Sequence, residues 1–216
     1  MWTRRQRQMC IRDRTNFAEN NLRDIKYISS HKKIYSKKLA HQNYGTIPVL
    51  SLRTIHIEDP FNSLVKRSFD IIFSLFVLLF LLSWLTPILA ILIKTSSKGP
   101  VFFYQKRNGY NFNEFNCFKF RSMLINKQAN TMQATRNDLR VTAIGKILRK
   151  YSIDELPQFY NVLIGDMSVV GPRPHMIKEN EKYRSTIDKF MVRHYVRPGI
   201  TGLAQTRGFR GEIETD

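Results

Sequence analysis

Hydrophobic and polar positions fall into three blocks along the chain. The first is mixed. From Thr15 to Lys38 polar and basic residues dominate without a period, Tyr44 to Arg53 (YGTIPVLSLR) reads as a short buried strand ending in a turn, and His56 to Asn62 reads as a linker. The second block is one apolar run: 23 consecutive residues, Ile71 to Ile93, carry no charge. The third alternates short elements. Ser96 to Pro100 is turn chemistry, Val101 to Tyr104 and Phe115 to Phe120 predict two paired strands, and Ile144 to Lys150 and Ser152 to Leu163 predict helices. Gly165-Asp166 turns the chain, Met167 to Val170 is extended, Gly171-Pro172-Arg173-Pro174 is a rigid loop, and Met176 to Tyr195 predicts a charged helix. The fold class implied is α+β: a small unit with a few short strands beside one apolar helix. No internal repeat or low-complexity tract is present.

The apolar run ties the chain to a membrane. At about 1.5 Å per helical residue it reaches roughly 34 Å, enough for a hydrocarbon core about 30 Å thick. Its flanks argue against a simple span, because Lys66 and Arg67 precede it and Lys94 and Lys98 follow it, so both ends look cytoplasmic. Pro87, with Ser83 and Thr86 nearby, offers a point at which the segment bends back. A re-entrant hairpin and a tilted span both remain open, and the flanking charges favour the hairpin.

Composition and charge narrow the partners. The 216 residues are 43% hydrophobic, enough for one proper core, and the net charge of +18 with a pI near 10.2 suits nucleic acid, anionic headgroups or phosphorylated substrates. With a membrane segment present, lipid and phosphate come before nucleic acid. Cys10 and Cys117 are far apart, and His31, His41, His56, His175 and His194 are scattered, so neither a disulfide framework nor a Cys- or His-based metal site is indicated. No secretory signal opens the chain. Gln6 to Arg14 (QRQMCIRDR) resembles a translated sequencing-adapter fragment, which makes residues 1–14 a non-native leader by expectation.

Two adjacent carboxylates, Asp154 and Glu155, interrupt a strongly basic stretch. One reading is local: Ser152-Ile153-Asp154-Glu155 fits a capping box, although Pro157 then falls past the first turn. The other reading is chemical. A carboxylate can attack a phosphoryl group to form an acyl phosphate, and a second can hold Mg²⁺, which takes one or two carboxylates plus substrate phosphates. Arg149 and Arg173 would neutralise a diphosphate as planar donors. Lys66, Arg67, Lys98 and Lys106 read as interfacial anchors that could also attract a lipid phosphate. The aromatics Phe102, Phe103, Tyr104, Phe112, Phe115 and Phe118 read as packing rather than as a base-stacking platform.

Three long, ordered stretches carry a resemblance: Lys66 to Arg121 (KRSFD…SSKGPVFFYQKRNGYN…FKFRSM), Arg140 to Pro174 (RVTAIGKILRKYSIDELPQFYNVLIGDMSVVGPRP) and Arg197 to Gly211 (RPGITGLAQTRGFRG). Together they resemble the bacterial sugar transferases, the monotopic phosphoglycosyl transferases that place a sugar phosphate on undecaprenyl phosphate. The likeness runs from Asn62 to the end and is nearest to the exopolysaccharide-type members. It implies residues 15–61 as the remnant of a preceding Rossmann-like domain and linker, 62–95 as a re-entrant membrane anchor, and 96–216 as a catalytic domain truncated at its C-terminus. It further implies Asp154 as nucleophile, Glu155 as magnesium ligand, Arg149 and Arg173 as phosphate contacts, and a UDP-sugar and undecaprenyl phosphate as substrates at the cytoplasmic face of the bacterial inner membrane. Glucose and galactose are the sugars it favours. The sequence departs from the family pattern at the helix break, where Ser83 is followed by Trp84 and the proline comes only at Pro87. A membrane-bound glycosyltransferase that releases UDP, and a non-catalytic basic scaffold, are the alternatives.

Overall fold

The computed structural model describes residues 13–23, 25–28, 40–44, 47–51, 59–125, 138–187 and 189–208. Helix α1 (13–20) is followed by β1 (Lys26–Ile28), β2 (Ala40–Tyr44) and β3 (Ile47–Ser51), an antiparallel sheet in the order β1-β3-β2. The strand expected at Tyr44 to Arg53 is therefore β3, while α1 and β1 occupy a stretch in which no period was visible. Residues 1–12 of the expected leader, 52–53 of the expected strand and 56–58 of the expected linker lie outside the described residues.

Asp59 starts the long helix α2 (Pro60–Ser96), its carboxylate accepting the amides of Phe61 and Asn62 while Pro60 needs no donor in the first turn. The helix is continuous over 37 residues. Pro87 sits inside it, and helical structure continues on both sides of Ser83–Pro87, where the bend was expected. The departure from regular α-helix comes earlier, in a π-helical segment, Val77–Leu82. There Ser83 Oγ donates to the Leu79 carbonyl (2.5 Å) and Trp84 Nε1 to that of Phe80 (2.8 Å).

One stripe of α2 is buried from Asp70 to Ile93: Asp70, Ser74, Val77, Leu82, Leu89 and Ile93. The five-residue step across Val77–Leu82 is the π turn, which keeps the stripe in register with the core. Its apolar members share one cluster with Phe120, Leu148, Phe159, Val162 and Met167. The opposite face is bare, with Phe61, Ile72, Leu79, Phe80 and Ile91 all more than 60% exposed, and only 22% of the most apolar stretch is buried. By length and composition this helix could cross a membrane.

The remainder is a small α+β unit. Strands β4 (Phe102–Asn108) and β5 (Glu114–Phe120) form an antiparallel hairpin, longer at β4 than the pattern suggested. Helix α3 (Ala143–Lys150) is capped by Thr142. The helix expected at Ser152 to Leu163 is split into a 3₁₀ turn, Ile153–Glu155, and α4 (Gln158–Ile164), which ends at Gly165 in the left-handed region. Strand β6 (Ser168–Val170) pairs in parallel with β7 (Gly199–Thr201), and a Cβ on Gly199 would lie 2.0 Å from the Gly171 nitrogen, so only glycine permits that approach. The charged helix is α5 (Ile177–Thr186), shorter than expected and followed by a 3₁₀ segment, Phe190–Tyr195; α6 (Leu203–Thr206) comes last.

Two arginines fasten α2 to this unit. Arg67 donates to the carbonyls of Val162 (2.6 Å) and Leu163 (2.8 Å) at the end of α4, and Arg121 donates to those of Ile93, Ser97 and Lys98 at the end of α2 (3.3, 2.7 and 2.9 Å). Each guanidinium satisfies carbonyls that a helix end leaves open. Lys66 is engaged as well, bonded to Asp70 (2.8 Å) and to Ser168 Oγ, while Asp70 accepts the Val169 amide at 3.0 Å. Lys66 and Arg67, expected as lipid anchors, thus bind the helix to the fold. Lys106 pairs with Glu114 on the hairpin, and Lys98 is exposed.

Candidate active site

Ser152 turns the chain through the left-handed region (φ 56°), and the short 3₁₀ turn then places Ile153 and Leu156 on one side and Asp154 and Glu155 on the other. The apolar pair packs against the core cluster. The capping-box reading does not hold, because no side-chain cap starts this turn and Pro157 stands at the N-cap of α4.

The carboxylates face β5. Pairing of Gln105 with Cys117 and of Arg107 with Phe115 puts Gln105, Arg107, Cys117 and Lys119 on one face of the hairpin. Lys119 Nζ bonds Glu155 Oε1 at 2.9 Å. From the other side Arg173 forks onto the same carboxylate, Nη2 to Oε1 at 2.7 Å and Nη1 to Oε2 at 3.1 Å. Arg107, Cys117, Lys119, Glu155, Gln158, Arg173 and Pro174 line a tight cleft of about 10 Å³. That is room for about one water molecule and far below the roughly 300–1,000 Å³ of drug-sized ligand sites, so a phosphate enters only when a lining side chain such as Arg173 swings aside.

Two neighbouring carboxylates are tuned in opposite directions. Burial raises the Asp154 carboxyl above its usual range, and Glu155 adds to the effect, against the opposing pull of Lys119 and Arg149. Burial also works against a charged Glu155, but Lys119 and the Arg173 fork outweigh it and hold that group down at about 2. His175 is pushed to about 3 by burial and by the Arg193, Arg107 and Arg173 charges, so it is neutral at physiological pH.

Of the residues singled out from sequence, Asp154, Glu155 and Arg173 come together here. Arg149 is exposed on the last turn of α3 and acts on Asp154 through its charge. Lys119, Arg107 and Gln158 were not anticipated. The first two carry a signal only in retrospect, since Gln105-x-Arg107 and Cys117-x-Lys119 share a face at period two once the register is known.

For a divalent cation the donors are suitable in kind. Asp154 and Glu155 are oxygen ligands of the kind that could hold Mg²⁺, which takes one or two carboxylates with phosphate and water completing its shell. Glu155 would have to exchange a cationic partner for it, and half-exposed Arg173 is the one able to move.

Residues 61–216 match the family model described as bacterial sugar transferase. The chain is 53% identical over 155 residues to a UDP-glucose:undecaprenyl-phosphate glucose-1-phosphate transferase of Klebsiella pneumoniae, and 50% identical over 155 residues to one of Escherichia coli strain K12. In both cases 71% of this chain and 33% of the relative are covered. An exopolysaccharide production protein, PSS, of Rhizobium leguminosarum bv. phaseoli is 47% identical over 69% of this chain and 77% of its own length. The chain thus spans about a third of the first two relatives.

Proposed function

The chain is a member of the bacterial sugar transferase family, and from that premise we propose that it transfers a hexose 1-phosphate from a UDP-sugar to undecaprenyl phosphate, releasing UMP, as a membrane step of exopolysaccharide, capsule or O-antigen synthesis. The observation that carries this reading is the tuned pair Asp154–Glu155, set among Lys119, Arg173 and Arg107 in a unit to which an apolar helix is fastened.

In this reading an Asp154 oxygen attacks the β-phosphorus of the UDP-sugar, the bond from that phosphorus to the bridging oxygen breaks, and UMP leaves with the electron pair. An oxygen of the lipid phosphate then attacks the same phosphorus and Asp154 is released as carboxylate. Each step exchanges one phosphoanhydride-like bond for another, so no further energy source is needed. Arg173 moves from Glu155 to the diphosphate, and Lys119 balances the negative charge that gathers beside Asp154. Mg²⁺, held by Glu155 with Asp154 alongside, would neutralise phosphate charge when bound. The test is incubation with a panel of UDP-sugars, glucose and galactose first, and polyprenyl phosphate. UMP release supports the proposal; UDP release would mark a glycosyltransferase, and no turnover with retained nucleic-acid binding would mark a scaffold.

The acid limb of turnover follows from Asp154. Because burial lifts its carboxyl above 3.8, protonation removes the nucleophile at a higher pH than for an ordinary aspartate. A profile of kcat/KM should fall toward acid with no contribution from His175, and His175→Asn should keep the same limb.

For α2 we read a monotopic anchor at the cytoplasmic face. A spanning helix would carry its second half across about 30 Å of hydrocarbon, away from the polar unit. Here Val77, Leu82, Leu89 and Ile93 stay in the unit's own core, and Arg67 and Arg121 tie down the two ends. Single cysteines at Ser63 and Ser97, in a chain with Cys10→Ser and buried Cys117 retained, should both resist an impermeant thiol reagent in intact cells. Labelling of one alone would establish a span.

A further inference from the structure

On the reading above that Arg173 grips a diphosphate, we infer that Arg107 and Arg193 are positioning residues that clasp the main chain of the Gly171–His175 loop and hold Arg173 in line with the pocket. Two guanidinium groups meet two consecutive carbonyls. Arg193 Nη2 donates to the carbonyl of Arg173 itself, and Arg107 Nη1 donates to that of Pro174 at 2.9 Å. Each clasping arginine is held in turn. Buried Gln105 takes Arg107 Nη2 at 2.5 Å and Nε at 3.2 Å, and the Arg107 backbone bridges to Met176; the Arg193 guanidinium lies 5.0 Å over the Phe190 ring.

The other end of the loop is fixed by backbone. Gly171 donates to the Thr201 carbonyl and Gly199 to that of Pro172, both at 2.9 Å. Pro172 and Pro174 remove φ freedom on either side of Arg173. What remains mobile is the Arg173 side chain, half exposed, which can turn from Glu155 to an incoming phosphate without its root moving. That matters because a bidentate fork works only in a narrow geometry, and a displacement near 1 Å can cost about 10²-fold in rate. Arg107 and Arg173 also repel one another beside this loop, where Asp154, Glu155 and Glu179 are the acidic groups that act on the three guanidinium groups, so the loop is prepared for an anion.

The test uses the full chain in detergent micelles, with two readouts: the dissociation constant for UDP in Mg²⁺ buffer, and hydrogen–deuterium exchange of the 171–176 peptide. R193Q and R107Q should each speed exchange of that peptide and weaken UDP binding by about tenfold, with the melting temperature nearly kept. R193K should recover most of the affinity, since one ammonium donor still reaches a carbonyl. In an Arg173→Ala background the same glutamine substitutions should add no more than about twofold. A full tenfold addition there would overturn the inference, because the two arginines would then touch UDP or support the fold in general. A loosened loop with unchanged UDP affinity, or an exchange rate that does not change, would overturn it too. Absence of UDP binding by the unsubstituted chain would instead defeat the functional reading, and the exchange measurement would still decide whether the arginines hold the loop.

Discussion

Replacing Asp154 with asparagine is expected to abolish the covalent sugar-phosphate adduct and lower turnover by about three to six orders of magnitude, while leaving the protein at least as stable as before. The chemical half follows from nucleophilicity, since an amide oxygen is far poorer than a carboxylate and no neighbouring oxygen takes its place. Glu155 is the nearest alternative, and both of its oxygens are held by Lys119 and Arg173. The stability half follows from linkage. Burial raises the Asp154 carboxyl, so the charged form is disfavoured by folding; the cost is absent below the unfolded value and present above the folded one. At neutral pH a neutral isostere removes it. Mass spectrometry of protein quenched with UDP-sugar and no lipid acceptor, beside thermal melts, checks both halves. An adduct that persists in folded Asp154→Asn protein would sink the assignment of the nucleophile.

The local chemistry of this site was legible in the sequence, but its assembly was not. Asp154 and Glu155 stand out because they are acidic in a basic stretch, and the prolines around Arg173 announce a fixed loop. The 3₁₀ turn hides from periodicity, because Ile153, Leu156 and Phe159 fit an ordinary helix until Ser152 is seen in the left-handed region. Lys119 and Arg107 hide for another reason. Strand residues show which face they share only when the register is fixed, and this register pairs residues across the turn at Tyr110–Phe112.

Longer-range partners were the least visible. Strand β7 exists because it pairs with β6, 31 residues earlier from Gly199 to Ser168, and three residues of Gly-Ile-Thr carry no strand pattern of their own. Lys66 and Arg67 looked like anchors because basic residues flank apolar runs at membranes in general. Their actual acceptors, Asp70, Ser168 and the end of α4, are separated from them by up to 102 residues apart from Asp70 itself. Charge patterns record what a residue prefers, whereas the fold decides which preference is met. The π turn at Val77–Leu82 is similar: nothing in Val-Leu-Leu-Phe-Leu-Leu distinguishes it from α-helix, and the buried stripe steps by five residues there, from Val77 to Leu82.

Glu155→Gln should give the contrary result to Asp154→Asn in stability while also losing most activity. Its carboxyl is held at about 2, against 4.5 for an unperturbed group, so the charged form stabilises the fold. The sign is that of a depressed acid: the contribution is complete above the unfolded value and disappears as pH falls through about 2. Allowing for the screening of half-exposed Arg173, glutamine should cost about 2 kcal/mol at neutral pH, because Lys119 loses the carboxylate that balances its largely buried ammonium. The gap between the variant and the unsubstituted protein should narrow as pH is lowered from 4.5 toward 2. Turnover should fall by about 10²–10³-fold, because a neutral amide binds a hard dication poorly and leaves Arg173 without the partner that parks it beside the pocket. The apparent Mg²⁺ requirement should rise with it. Chemical denaturation across pH, with Mg²⁺ titrations of UMP release, reads both effects. Equal stability of the two asparagine and glutamine variants at neutral pH would mean that Lys119 and Arg173 do not distinguish the carboxylates, and the division of labour between nucleophile and charge-holding residue would have to be abandoned.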